Sequence, residues 1–379
     1  MSGGGGGSAV DLFGDLPEPT QPPGNDVEKA GPSLFDDLLD VGNPDVAPRS
    51  PNLSGEIPKL PNDLKGEKRK AWNQNGSEEH TKKLCKGLVT LKGYVAERKG
   101  EREEMQDAHV IINNFTEEFT QLPQEISRLS YFAVFDGHGG MRASKYAAQN
   151  LHLNLVKNFP KGNCVATRKK TIKKCLLVTF KQTDEGFLKQ ASSQKPVWKD
   201  GSTATCVLLV DDVLYVANLG DSRAILCRYS EENKKLMSLP LGKEHNPTQY
   251  EERMRIQKAG GTVRDGRVLG VLEVSRSIGD GQYKHCGVIS VPHVKRCQLT
   301  SNDRFVLLAC DGLFKVFSPD EAALFVSAIL EDETMMPRPG KTLQDVRFEL
   351  ACSKLASEAV RRGSADNVTI ILVAILHLR

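Results

Sequence analysis

Apolar residues fall along this chain in two rhythms, short continuous runs and longer stretches at helical spacing. Three of the short runs touch an aspartate: Tyr131 to Phe135 leads into Asp136, Phe305 to Ala309 leads through Cys310 into Asp311, and Asp366-Asn367 opens the run Val368 to Ile375. Apolar on successive positions, they read as buried strands. Thr205 to Val210, Val213 to Asn218 and Arg223 to Arg228 read as a meander of antiparallel strands turning at Asp211-Asp212. Ile172, Leu176, Phe180, Phe187 and Leu188 form one helical stripe, and Ala147, Ala148, Leu151 and Leu155 form another. Ser318-Pro319-Asp320-Glu321 predicts a helix start with a hydroxyl cap, and Gly363 predicts the end of a helix that begins near Leu343. Strands in meanders with helices grouped between them predict an α+β fold of antiparallel sheets covered by helices, not a doubly wound parallel sheet.

The pattern fades before residue 86. Ten of the nineteen prolines precede residue 62, and that stretch has only the aromatics Phe13 and Phe35, too little apolar surface to fold alone. We read 1–85 as an acidic, proline-rich and then basic disordered tail, and 86–379 as the folded domain. Two segments of the tail repeat an acidic pattern around an aromatic, Asp11-Leu12-Phe13-Gly14-Asp15-Leu16 and Ser33-Leu34-Phe35-Asp36-Asp37-Leu38, and read either as partner-docking segments or as chance patches. The basic run Lys65 to Lys70 reads either as a nuclear address or as a solvated linker.

Charge narrows the field only a little. A formal charge of +3 is too mild to predict nucleic-acid binding, and no run of about 18 apolar residues predicts a membrane span. The expected address is cytoplasmic, with the nucleus a second one if the basic run is read as a signal. The nine cysteines have no CxxC spacing and several lie inside apolar runs, so they read as reduced, packed thiols.

Aspartates at strand ends carry the candidate chemistry. If the last two strands are antiparallel, Asp311 at one carboxyl end and Asp366 at the other amino end share one sheet edge. Asp136-Gly137-His138-Gly139 lets the backbone approach a cation, so the Gly137 carbonyl and the Asp136 carboxylate become candidate ligands. A carboxylate can bridge two cations, with Asp311 and Asp366 on the second, and oxygen-only ligands suit Mg²⁺ or Mn²⁺. His138 is a candidate general acid, Arg102 a candidate phosphate clamp, and Asp107 a holder of ordered waters. His109 and His245 read as structural, and Gly201-Ser202-Thr203-Ala204 reads as close packing near the site. An aspartyl-phosphate mechanism is disfavoured, because the first strand ends in DGH where that chemistry wants DxD.

Seven ordered blocks then resemble one family: REEMQDAHV (102–110), YFAVFDGHGG (131–140), DGSTATC (200–206), ANLGDSRA (217–224), RVLGVLEVSRSIGD (267–280), LLACDGLF (307–314) and GSADNVT (363–369). The chain is similar to metal-dependent serine/threonine protein phosphatases of type 2C. The resemblance implies a sandwich of two antiparallel β-sheets flanked by helices, two Mg²⁺ or Mn²⁺ ions, and hydrolysis of phosphoserine and phosphothreonine in proteins by activated water. It implies that Asp136 bridges both ions, that Gly137 lends its carbonyl, that Asp311 and Asp366 hold one ion, that Arg102 binds phosphate and that His138 is the acid. YVAERKGEREEMQDAHV and KEHNPTQYEERMRIQKAGG resemble the subgroup associated with integrin-linked kinase, which implies that kinase as a partner. Two positions depart from the pattern. Gln106 stands where many members have glutamate, and Asp221, which matches a third-metal position, has Lys315 where its usual aspartate partner would be. A catalytically silent scaffold on the same fold is the alternative function, against which stands the full set of aspartates with Arg102 and His138.

Overall fold

The computed structural model describes residues 89–161 and 168–377. The tail expected over 1–85, with its repeat and basic run, lies outside them. Strands in chain order are β1 (Val89–Arg98), β2 (Ala108–Ile112), β3 (Leu129–Phe135), β4 (Gly137–His138), β5 (Gly201–Ser202), β6 (Ala204–Val210), β7 (Val213–Leu219), β8 (Arg223–Ser230), β9 (Lys235–Pro240), β10 (Val263–Arg264), β11 (Arg267–Val268), β12 (Ile278–Gly279), β13 (His293–Gln298), β14 (Asp303–Ala309) and β15 (Val368–His377). Helices are α1 (Arg142–Asn158), α2 (Arg168–Ser192), α3 (Tyr250–Lys258), α4 (Gly281–Lys284), α5 (Asp311–Phe314), α6 (Pro319–Leu330) and α7 (Leu343–Arg361).

Two five-stranded sheets run in the orders β1-β15-β14-β8-β9 and β13-β7-β6-β3-β2. All their pairings are antiparallel. The continuous apolar runs follow from burial on both faces. In β15, Ile371 and Val373 point inward with Phe132, Val134, Leu209 and Leu308, while Ile370, Leu372 and Ala374 point outward against Val326 of α6 and Leu355 and Ala359 of α7. In β3, Tyr131, Ala133 and Phe135 face outward against Leu151 of α1 and Leu176 and Phe180 of α2. The layers are therefore helices, sheet, sheet, helices, as expected for the α+β sandwich.

One expectation needs correcting. β6 and β7 form a hairpin in one sheet, but β8 pairs with β14 and β9 in the other. The three strands are not a meander within one sheet, because Gly220, at φ 96°, turns the chain across at Gly220–Ser222. The helix ends behave as read: Ser318 caps α6 in a reciprocal box with Glu321, and Gly363 follows α7 at φ 93°. Seven cysteines among the described residues are free, and six of them are buried. No described helix is long and apolar enough to cross a membrane.

A buried ionic staple fixes α3 to the segment that leads into β12. Glu252, 1% exposed, accepts hydrogen bonds from Arg276 Nη2 at 2.6 Å, Arg255 Nη2 at 2.8 Å and Ser275 Oγ at 2.6 Å. Burial pushes its carboxyl up, but the two arginines outweigh that and hold it well below the ordinary 4.5. Glu252→Gln is expected to cost about 3 kcal/mol, because it leaves two arginines without their charge partner. A depressed folded pKa means this contribution is complete above 4.5 and is lost as pH falls toward the folded value. Urea melts of wild type and variant at neutral and acidic pH check both statements, since the difference between them should shrink in acid.

Candidate active site

Strand direction places the aspartates as the sequence predicts. Ala309 pairs with Ile370 in the β14–β15 ladder, so Asp311 just beyond β14 and Asp366 just before β15 share one edge. Asp136 directly follows β3, and Asp221 lies in the crossing turn between β7 and β8. These four, with Arg102, Gln106, Gly137 and His138, line one cleft of about 320 Å³. Asp107 sits behind it, where its Oδ2 accepts from Thr369 Oγ1 at 2.7 Å. Its buried Oδ1 has no hydrogen-bond partner.

Carboxylate oxygens of Asp136, Asp221 and Asp311 lie within 4.8 Å of one another. Asp107, Asp136 and Cys310 form a second group by the same measure. Such crowding is costly. Burial, then repulsion from Asp107, Asp311, Asp221 and Asp366, pushes the Asp136 carboxyl well above its usual range. Burial raises Asp107 to about 6, with hydrogen bonds from Thr369 and Cys310 opposing, and raises Asp221 to about 7, with Asp311 adding to it. The half-buried, all-oxygen group of Asp136, Asp221 and Asp311, backed by the orphaned Asp107 oxygen, fits a hard divalent cation, whose charge would remove the repulsion.

The outer half of the cluster is neutralised by the chain itself. Lys315 Nζ lies 2.7 Å from Asp311 Oδ2 and 2.8 Å from Asp366 Oδ2. Arg102 donates to Asp366 Oδ2 through Nη2 at 3.0 Å, and its Nε lies 3.0 Å from Asp366 Oδ1. Burial pushes the Asp366 carboxyl up, but Lys315 and then Arg102 outweigh it and hold it low. Asp221 thus groups beside Asp136 and Asp311, while Asp366 is drawn to the cationic side chains of Lys315 and Arg102. Arg102 stands at the cleft mouth with its side chain 59% exposed, where a phosphate could reach it.

Local backbone chemistry explains the glycines and threonine around Asp136. A Cβ on Gly137 would fall 2.2 Å from the Gln106 carbonyl oxygen, so only glycine admits that approach. Asp136 N donates to Thr203 Oγ1 at 3.2 Å, and Thr203 N donates to Asp136 O at 2.9 Å. That confirms Gly201–Ala204 as packing beside the site. His245 is structural too: its Nδ1 accepts from Gly220 N at 3.2 Å, next to Asp221. Burial, reinforced by the charge of Arg276, lowers its ring to about 3, so it is neutral. His109 pairs with Glu97 at 2.8 Å, away from the cleft.

Two contributors carried no readable role in the sequence. Asn367 Nδ2 donates to Lys99 O at 2.8 Å and Glu104 O at 3.1 Å, and its Oδ1 accepts from Gln106 N at 2.8 Å. It staples the Arg102 loop to the segment carrying Asp366. Asp280 is the second, placed 2.7 Å from His138 Nε2. Burial works against a charge on the His138 ring, yet Asp280 outweighs it and holds the pKa above the ordinary 6.5.

A family model described as Protein phosphatase 2C matches residues 92–368, which includes every residue of the cleft. The chain belongs to the protein phosphatase 2C family. This phosphatase 2C chain is 65% identical over 372 residues to the integrin-linked kinase-associated serine/threonine phosphatase 2C of Bos taurus, covering 97% of this chain and all of that one. It is 36% identical over 290 residues to the probable protein phosphatase 2C 8 of Arabidopsis thaliana, covering 74% of this chain and 77% of that one. Among solved structures it is similar to a C. elegans sex determining protein, with a TM-score of 0.61 and 27% identity over 76% of this chain and 65% of that one. A serine-threonine phosphatase 2C from Toxoplasma gondii shares the fold, with a TM-score of 0.61 at 21% identity over 76% of this chain and 95% of that one.

Proposed function

We propose that this phosphatase 2C member is an active, metal-dependent serine/threonine protein phosphatase that cleaves phosphoserine and phosphothreonine with water. The observation that carries the reading is the clustering of Asp136, Asp221 and Asp311 within 4.8 Å beside Arg102 and His138 in one cleft. Asp136, the Gly137 carbonyl, Asp311 and Asp366 would hold two Mg²⁺ or Mn²⁺ ions, with Asp107 and Gln106 reaching them through water and Asp221 available to a third. Bound there, the ions would acidify a water and neutralise phosphate charge. The chain's own residues do the rest. Arg102, whose Nη2 now donates to Asp366, offers its guanidinium N–H groups to the phosphate and fixes the phosphorus over the carboxylates. His138 gives a proton to the departing serine or threonine oxygen.

The relatives named for integrin-linked kinase support that kinase, or its phosphorylated partners, as the context in which this activity works. Phosphopeptides carrying serine, threonine or tyrosine, assayed with Mn²⁺, test the reading. Phosphate release from the first two supports it, and release from none contradicts it.

Lys315 gives the reading a second handle. Its ammonium offers Asp311 and Asp366 a charge that a cation would otherwise supply, so it weakens any cation held beside Asp221 and Asp311. Lys315→Asp is expected to lower the Mn²⁺ concentration for half-maximal activity by about tenfold, since it adds a ligand charge and removes a competing cation. An unchanged Mn²⁺ titration curve would sink this role.

A further inference from the structure

The small sheet β12-β5-β4 sets three residues in a row across the cleft wall. Gly201 of β5 pairs with His138 of β4 on one side and with Gly279 of β12 on the other. Asp280 follows Gly279 directly, so His138 and Asp280 lie on opposite sides of Gly201. Their side chains meet over it, with His138 Nε2 2.7 Å from Asp280 Oδ2. They can meet only because Gly201 has no side chain. A Cβ built there would fall 2.2 Å from His138 Nε2 and 2.2 Å from Asp280 Oδ2.

Asp280 is 2% exposed and is held from both directions. Its backbone N donates to Asp200 O at 2.9 Å, and its carbonyl accepts from Tyr283 N at 2.8 Å. Its φ of 51° is a left-handed conformation that a non-glycine residue adopts at a cost. Gly279 N, one residue earlier, donates to Asp184 Oδ1 at 2.8 Å. The carboxylate therefore arrives at the imidazole on a fixed backbone and has little freedom to leave it.

We infer that Asp280 is the positioning residue for the proton donor of this reaction, with Gly201 as the slot through which it reaches His138. The inference rests on the phosphatase reading above. A carboxylate only accepts, so Nε2–H donates to Asp280, and Nδ1 is the ring nitrogen left to serve the substrate. The step balances. Water's oxygen forms the new bond to phosphorus, the bond to the threonine oxygen breaks with its electron pair on that oxygen, and the Nδ1 proton moves onto it. The ring is left neutral with its Nε2–H still on Asp280, and the proton lost by water passes to solvent. Asp280 touches neither substrate nor phosphorus, so its effect appears only where the leaving group needs a proton.

Two substrates separate that role from a structural one. An alkoxide leaves poorly without a proton, whereas p-nitrophenolate leaves readily. Asp280→Asn in the full chain with Mn²⁺ is expected to lower kcat on a phosphothreonine peptide by about 10²-fold, the lower end of what a general acid contributes. On p-nitrophenyl phosphate the fall is expected to be much smaller. Gly201→Ala, which wedges the pair apart, should give the same split if Asp280→Asn folds poorly. In a His138→Gln background, Asp280→Asn should cost nothing further on the peptide. Equal losses on both substrates, no loss on either, or additive losses in the double variant would overturn the inference. A wild-type chain inactive on both substrates would instead overturn the phosphatase reading on which it rests.

Discussion

Asp136→Asn is expected to abolish phosphate release and, in the presence of a chelator, to raise the melting temperature. The two effects have one cause. Asp136 directly follows β3 and is repelled by four other carboxylates, so its charge is costly until a cation neutralises it. Asparagine keeps the shape and removes the charge, which relieves repulsion in chelated protein and would weaken any cation held there. Loss of several kcal/mol of charge stabilisation at phosphorus corresponds to at least about 10³-fold in kcat. A variant that simply misfolded would lose activity and melt earlier, so the melting curve separates the explanations. Activity and melting temperature measured on the same chelated and Mn²⁺-loaded samples check the prediction, and full activity in the variant would remove Asp136 from the site.

Arg102→Ala is expected to lower kcat/KM for a phosphothreonine peptide by about 10- to 100-fold, the worth of one or two hydrogen bonds to a charged group. Lysine should recover little of it. The geometry shows why: Nε and Nη2 each reach Asp366 at 3.0 Å, a two-pronged grip that an ammonium cannot reproduce on a phosphate. Because Arg102 also helps to neutralise Asp366, alanine should make that carboxylate a stronger ligand for a cation. The expected signature is therefore a raised KM for peptide together with an unchanged or lower Mn²⁺ requirement. Initial-rate kinetics over a grid of peptide and Mn²⁺ concentrations reads both, and an unchanged KM would show that Arg102 serves only as an ion-pair partner.

Much of this was legible before the fold was known, for a physical reason. A strand buried on both faces must be apolar at every position, so β3, β14 and β15 announce themselves, and the aspartates that break those runs must lie at sheet edges. Antiparallel direction then fixes which ends coincide, and Asp311 and Asp366 do share an edge. Seven blocks in order supplied the family, and the family model confirms it. What the sequence hid was pairing at a distance. The apolar pattern of β8 shows that it is buried, not in which sheet, so its crossing from β7 could not be read. Asp280 is one aspartate at the end of SRSIGD, and its meaning depends on a Cβ missing from Gly201, 79 positions earlier. Lys315 could be seen to replace an expected aspartate, but not to reach two carboxylates at once.

If the acid cluster holds divalent cations for phosphoester hydrolysis, phosphate release from a phosphothreonine peptide by the wild-type chain should depend on them throughout. Followed continuously with Mn²⁺ present, then with excess EDTA, then with Mn²⁺ restored, release is expected to stop on chelation and resume on restoration; release that runs undiminished through EDTA would show that the cluster does not work through a cation.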